Sequence, residues 1–244
     1  MDAKSLTPTL LASRSFHLIC SPLRCIDLAT EILARREQEL SLHPELNAPL
    51  FIWEPVPDLC IPEELERCYE ALKLVDIVSP NHQELASFLG KATDVVAHGK
   101  LDLALIERMC KSWLDSGIGR NGNGSVIVRS GAYGCFYASL GSAKEMEGRW
   151  LPAYHQDASK VIDPTGGGNT FLGGFAVGLV RTGNVRDATV WGNIAASFAI
   201  EQVGMPVLHE YDLGKEQWNG ETVEDRMDEY TKRIEDNETH KALN

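Results

Sequence analysis

Asp163-Pro164-Thr165-Gly166-Gly167-Gly168-Asn169-Thr170-Phe171 follows a short apolar approach, Val161-Ile162, and opens a largely apolar stretch from Phe171 to Val180. A loop that feeds backbone amides into the start of a helix has this form. The first amides of a helix lack internal partners, and the helix dipole makes that end electropositive, so an anion can sit there. Glycine suits the place because a side chain would hold a phosphate away from the backbone. A plain tight turn is the competing reading. It needs one or two glycines, whereas three in a row before a helix-compatible apolar stretch favour phosphate binding.

Working outward, strand and helix patterns alternate along the chain. Ser15–Cys20 is a short apolar run of strand type, followed by a helical pattern over about Leu23–Leu40. Leu50-Phe51-Ile52-Trp53 reads as a buried strand halted by Pro55 and Pro57, and Pro62-Glu63-Glu64 begins a helix with proline in its first turn. Val75–Val78 is a third strand, and Asn81 can cap the helix running to Leu89, with Glu84 in the capping-box position. Leu101–Leu114 is a further amphipathic helix. Val126–Val128 is a fourth strand, turned by Gly131-Ala132-Tyr133-Gly134 into Cys135–Ala138 as a β-hairpin. Two long helical patterns, Thr170–Arg181 and Val185–Val203, follow. Continuous apolar strands separated by helices predict an α/β fold, with a mainly parallel sheet covered on both faces and ligands at the carboxyl ends of the strands.

At 244 residues, with 43% hydrophobic and 24% charged residues, the composition is that of a globular domain. No apolar run reaches membrane-spanning length and the start shows no signal-peptide pattern, which predicts a cytoplasmic chain with no membrane partner. The six cysteines (Cys20, Cys25, Cys60, Cys68, Cys110, Cys135) are scattered and form no Cys-x-x-Cys pair, so they read as buried reduced thiols. A net charge of −12 argues against nucleic acid as a partner. Half of it lies in the last stretch, where 11 acidic and 5 basic residues between Glu210 and Asn244 give −6. There Val223, Met227, Tyr230 and Ile234 form one apolar helical stripe. It either packs back on its own domain or binds a protein partner.

The glycine-rich segment resembles the second signature of the ribokinase-like (pfkB) carbohydrate kinases, Asp-Thr-Thr-Gly-Ala-Gly-Asp-Ala-Phe. The resemblance implies that Gly166, Gly167 and Gly168 form an anion hole for the transferred phosphoryl group, and that Asn169 occupies the position of the general base. An amide can hydrogen-bond a hydroxyl but has no useful basicity near neutral pH, so the hole is kept and the base is lost. Glycine for alanine and asparagine for aspartate point to a fungal branch, the maintenance-of-killer-like proteins.

Other stretches are similar to the same family in the same order. Leu50–Pro57 resembles its aspartate/asparagine-proline strand region. Ser79-Pro80-Asn81-His82-Gln83-Glu84 resembles its Pro-Asn-x-x-Glu element, in which Asn81 and Glu84 would organise Mg²⁺, through water, and phosphate. A plain helix cap is an equally good reading of the same two residues. Arg129-Ser130-Gly131-Ala132-Tyr133-Gly134 resembles the turn beside the nucleotide, with Arg129 in place of a hydroxyl residue; it either contacts phosphate or points outward. Asn193 falls on the helix that closes over the adenine. Asp163 and Thr165 fall where the family binds a monovalent cation, usually K⁺, although Pro164 removes a backbone donor there.

The match runs from about Ser15 to Pro206, and the family's N-terminal substrate and lid part has no counterpart before Ser15. The implied organisation is a short N-terminal segment (1–14), a nucleotide-binding domain (15–209) and an acidic C-terminal helix (210–244). The implied activity is ATP-dependent phosphorylation of a sugar-type hydroxyl, impaired at Asn169; the alternative is a nucleotide-binding pseudokinase or scaffold. A dinucleotide-binding oxidoreductase ranks below both, because no Gly-x-Gly-x-x-Gly opens the first βα unit.

Overall fold

The computed structural model describes residues 2–40, 48–210 and 215–242. Residues 211–214 and 243–244 of the expected C-terminal segment lie outside the described residues. The chain divides into two compact units. One holds the chain up to Ser130 together with Phe136–Arg149; the other holds Gly131–Cys135 and the chain from Trp150 onward.

The first unit begins with a single turn, α1 (Pro8–Leu11), then β1 (Ser15–Cys20), α2 (Pro22–Leu40), β2 (Leu50–Pro55), α3 (Leu65–Leu72), β3 (Ile77–Val78) and α4 (His82–Phe88). A two-strand ribbon, β4 (Val96–Ala97) and β5 (Lys100–Leu101), precedes α5 (Leu103–Ser116) and β6 (Ser125–Arg129). The strands β7 (Cys135–Leu140) and β8 (Met146–Leu151) complete a six-stranded sheet in the order β1-β2-β3-β6-β7-β8. Parallel pairing joins β1 to β2, β2 to β3 and β3 to β6, with Ile52 opposite Ile77 and Ile77 opposite Ser125. The connections Ser130–Gly134 and Gly141–Glu145 are too short for parallel crossovers, so the sheet ends in antiparallel strands.

Phe51, Ile52 and Trp53 are fully buried, as are Val126, Ile127 and Val128. These runs are apolar at every position because a parallel sheet is buried on both faces. Trp53 fits because its Nε1–H donates to Cys20 O at 3.0 Å. The helix α5 buries Ile106, Met109, Cys110, Trp113 and Leu114, one stripe at helical spacing, and Asp102 caps it by accepting the Leu105 N–H. All six cysteines are free and buried.

The second unit is built on α6 (Gly167–Thr182) and α7 (Val185–Ala199), followed by β9 (Leu208–Glu210), β10 (Glu216–Trp218) and α8 (Val223–Ala242). Glycines set the spacing between α6 and α7. A Cβ on Gly174 would lie 2.8 Å from Trp191 O, and one on Gly192 would lie 2.9 Å from the Phe171 ring. The stripe on α8 packs back on its own unit: Tyr230 is wholly buried, Ile234 nearly so, and the Tyr230 hydroxyl donates to Pro152 O. That face is therefore not open to a protein partner. Arg226 is buried on the same helix between Glu201 (2.8 Å) and Glu221 (2.6 Å), and its guanidinium lies 3.7 Å from the centre of the Phe198 ring. Among the described residues no helix is long and apolar enough to cross a membrane.

Candidate functional site

In the second unit the loop before α6 is shaped by its own short-range bonds. Asp163 Oδ1 accepts the Thr165 N–H at 2.9 Å, and this bond holds the Asp163 carboxyl below the usual carboxylate range. Asp163 and Thr165 thus build a turn. With one Asp163 oxygen already bonded inside the chain and Thr165 exposed, the pair does not amount to a cage for a monovalent cation. The Gly167 N–H closes the turn onto Pro164 O at 3.1 Å. The Ile162 and Asp163 N–H groups both donate to Ile200 O, at 2.8 and 3.2 Å, which ties the loop to the end of α7.

Gly166 is the N-cap of α6, at φ 80° and ψ −11°, and no side chain caps the helix there. This left-handed conformation is the reason for glycine at 166. Gly167 is glycine for a different reason, since a Cβ there would lie 2.8 Å from Ile200 Cγ2. Among the described residues no protein acceptor takes the N–H of Gly168 or Asn169. Two amides at the electropositive end of a helix of 16 residues suit an anion such as a phosphate. Asn169 is exposed, with its side chain on this first turn.

Three further expected positions fall in the same unit. Gly131 (φ 56°) and Gly134 (φ 81°) bracket a single 3-10 turn, and a Cβ on Gly134 would run into Leu151 O. Asn193 is buried; its Nδ2 donates to Thr189 O at 3.1 Å and to Cys135 Sγ at 3.3 Å. Both of its donor hydrogens are therefore used inside the protein.

The first unit gathers the other expected residues, Asn81, Glu84, Arg129 and Ser130, at the carboxyl ends of β3 and β6. Asn81 and Glu84 form a full capping box. Asn81 Oδ1 accepts the Gln83 and Glu84 N–H groups at 2.9 Å, and Glu84 Oε2 accepts the Asn81 N–H at 2.7 Å. Glu84 Oε1 also accepts Asn81 Nδ2–H at 2.7 Å. Arg129 neither points outward nor stands free for phosphate. Its Nη1 lies 2.9 Å from Glu54 Oε1, and its Nη2 lies 3.0 Å from Ser79 O and 3.6 Å from Glu84 Oε2. The second oxygen of Glu54 lies 2.9 Å from His17 Nε2.

Glu54 and His17 were not singled out in the sequence. The available signal was a carboxylate inside the apolar run Leu50–Pro55, because a buried charge needs a partner. Burial raises the Glu84 carboxyl above its ordinary range against the opposing pull of the Asn81 N–H and Arg129. Four buried polar atoms around the same strand ends have no hydrogen-bond partner: Ser79 Oγ, His82 Nδ1, Arg129 Nε and Ser130 Oγ. Burial lowers the His82 imidazole pKa.

A divalent ion fits this carboxylate pair poorly. Each of the four oxygens already faces a donor, and Glu54 and Glu84 are 7% and 6% exposed, too enclosed for an ion that keeps its water. Among the described residues no three His, Cys, Asp or Glu side chains gather as a metal site.

The model described as pfkB family carbohydrate kinase matches residues 55–207 of this chain. The chain belongs to the pfkB carbohydrate kinase family. Protein MAK32 of Saccharomyces cerevisiae is 36% identical to this pfkB chain over 223 residues, covering 88% of the chain and 56% of the relative. The structure of Arabidopsis thaliana ribokinase complexed with ribose and ATP superposes with a TM-score of 0.55 at 20% identity, covering 81% of this chain and 53% of that one. An Escherichia coli ribokinase-type structure with ATP and Mg²⁺ bound gives a TM-score of 0.55 at 19% identity, covering 83% and 57%. The fold is thus ribokinase-like, and the chain spans just over half the length of each of these proteins.

Proposed function

We propose that this chain binds the terminal phosphates of a nucleotide at the N-terminus of α6 and supports slow phosphoryl transfer to a sugar-type hydroxyl. The observation that carries this reading is the left-handed Gly166 cap, which leaves the Gly168 and Asn169 amides without protein acceptors. Membership in a carbohydrate kinase family supplies the reaction class.

Phosphoryl transfer through a loose transition state depends mainly on positioning and on stabilising charge. In this reading the Gly168 and Asn169 amides receive charge on the transferred group. The Asn169 amide holds the acceptor hydroxyl without taking its proton, so proton loss falls to solvent. General-base catalysis contributes ~10²–10⁴ in rate, which sets the expected deficit.

The engagement of Arg129 with both carboxylates, and the absence of a base at position 169, favour a second reading: a pseudokinase that holds nucleotide without turnover. Calorimetric titration of the full chain with MgATP and with MgADP tests what the two readings share. Saturable binding that weakens in Gly167→Val supports the α6 site; no binding by the folded protein removes both. Turnover with a panel of sugars and polyols then separates the readings.

A further inference from the structure

The carboxylates Glu54, at the end of β2, and Glu84, in the first turn of α4, are separated by 30 positions in sequence, and both are buried. Two buried carboxylates near each other repel and lack solvent, so their charged forms are stabilised by a cation between them. The resemblance would supply a divalent metal ion beside Glu84. The structure supplies a side chain.

Arg129 reaches back from the end of β6, and one terminal nitrogen faces each carboxylate, Nη1 toward Glu54 at 2.9 Å and Nη2 toward Glu84 at 3.6 Å. Nη2 is further fixed by Ser79 O at 3.0 Å, and the Arg129 N–H donates to Pro80 O at 3.1 Å. The side chain is 14% exposed. Guanidinium suits this place because it is planar, stays charged at any accessible pH and presents several donors at fixed angles. The remaining carboxylate oxygens face His17 and Asn81.

We infer that Arg129 is the resident counter-cation of the Glu54–Glu84 pair, so that this unit takes no divalent metal ion of its own. Admitting Mg²⁺, whose ligands stand at ~2.0–2.1 Å, requires displacing one of those donors and placing two positive charges beside a third. A hydrated ion needs still more room. Position 129 therefore sets the choice of cation: arginine closes the carboxylate pair to metal, and the family's hydroxyl residue at the same position would open it. The inference rests on the pfkB reading of this half-site and is independent of nucleotide binding.

The test uses Mn²⁺ alone with the nucleotide-free 244-residue chain, following the loss of the free-ion electron paramagnetic resonance signal. Wild type should take up no Mn²⁺. Arg129→Thr should bind one ion at least ten-fold more tightly than wild type, its melting temperature should rise with Mn²⁺ while that of wild type does not, and Arg129→Thr/Glu84→Gln should lose both effects. Uptake by wild type that Glu84→Gln abolishes would overturn the inference, as would a folded Arg129→Thr protein that binds no ion. Should Arg129→Thr fail to fold with or without Mn²⁺, wild type and Arg129→Lys decide the matter: neither should take up the ion, and uptake by either that depends on Glu84 refutes the inference.

Discussion

Gly167 lies directly against Ile200: a Cβ on the glycine would stand 2.8 Å from Ile200 Cγ2, and the same Ile200 accepts two amides of the preceding loop through its carbonyl. The residue that ends α7 therefore sets where the first amides of α6 stand. Gly167→Val should lower nucleotide affinity at least ten-fold in calorimetry while leaving far-ultraviolet circular dichroism unchanged. Gly167→Ala should be milder, and milder still on an Ile200→Ala background, since the nearest obstacle is the end of a side chain. Equal losses in both backgrounds would assign the effect to something other than this contact.

Asn169→Asp restores a group that can accept a proton. Turnover with a sugar or polyol acceptor should rise by ~10²–10⁴ where a base is the missing element. ATP affinity should change little or fall slightly, because the new charge faces phosphate. A variant that binds MgATP and gains no turnover would show that position 169 is not where the proton leaves.

Glu84 makes stability depend on pH with a definite sign. Its carboxyl titrates above the ordinary 4.5, chiefly through burial, so the native state keeps this proton where the unfolded chain has lost it. Stability therefore declines as pH rises from that ordinary value through the raised one. Glutamine keeps the capping geometry and removes the titration. In urea unfolding, wild type should lose stability relative to Glu84→Gln as pH rises toward neutrality; a difference that stays flat would show equal proton affinities in the two states.

Much of the architecture could be read from short-range pattern. The unbroken apolar runs around Phe51 and Val126 marked buried strands, and Asn81 with Glu84 marked the start of α4, because those signals depend only on nearby residues. Other elements could not be read this way. The strand β8, Met146-Glu147-Gly148-Arg149-Trp150-Leu151, is exposed over its middle three residues and carries neither an apolar run nor a clean alternation. The onset of α6 lies three residues earlier than apolar content suggests, at Gly167, since a left-handed glycine fixes it. The ion pair between Glu54 and Arg129 joins positions 75 apart in sequence, and no periodicity reports such a contact. The buried state of Arg226 was hidden for the same reason, because its partners Phe198, on α7, and Glu201, just past its end, are distant in sequence.

The docking of α8 yields a graded test. Tyr230→Phe removes one hydroxyl bond to Pro152 O and should cost about 1 kcal/mol. Tyr230→Ala removes a wholly buried ring and should cost ~3–5 kcal/mol. Both values come from chemical denaturation, and similar costs for the two would mean that the ring carries little of the packing.

The close seam between α6 and α7 has a mechanical consequence. Gly174, Gly178 and Gly192 bring the two helices too near for either to slide or tilt alone: a Cβ on Gly178 would lie 2.8 Å from Trp191 Cβ. One end of this block is the Gly166 cap and the other is the Gly183 cap. The pair therefore acts as a stiff lever. A methyl group added at Gly178, ~18 Å along the helix from the Gly166 cap, has no soft neighbour to absorb it. Its displacement would travel to the loop, so the placing of the two unpaired amides there is tuned from a position twelve residues away.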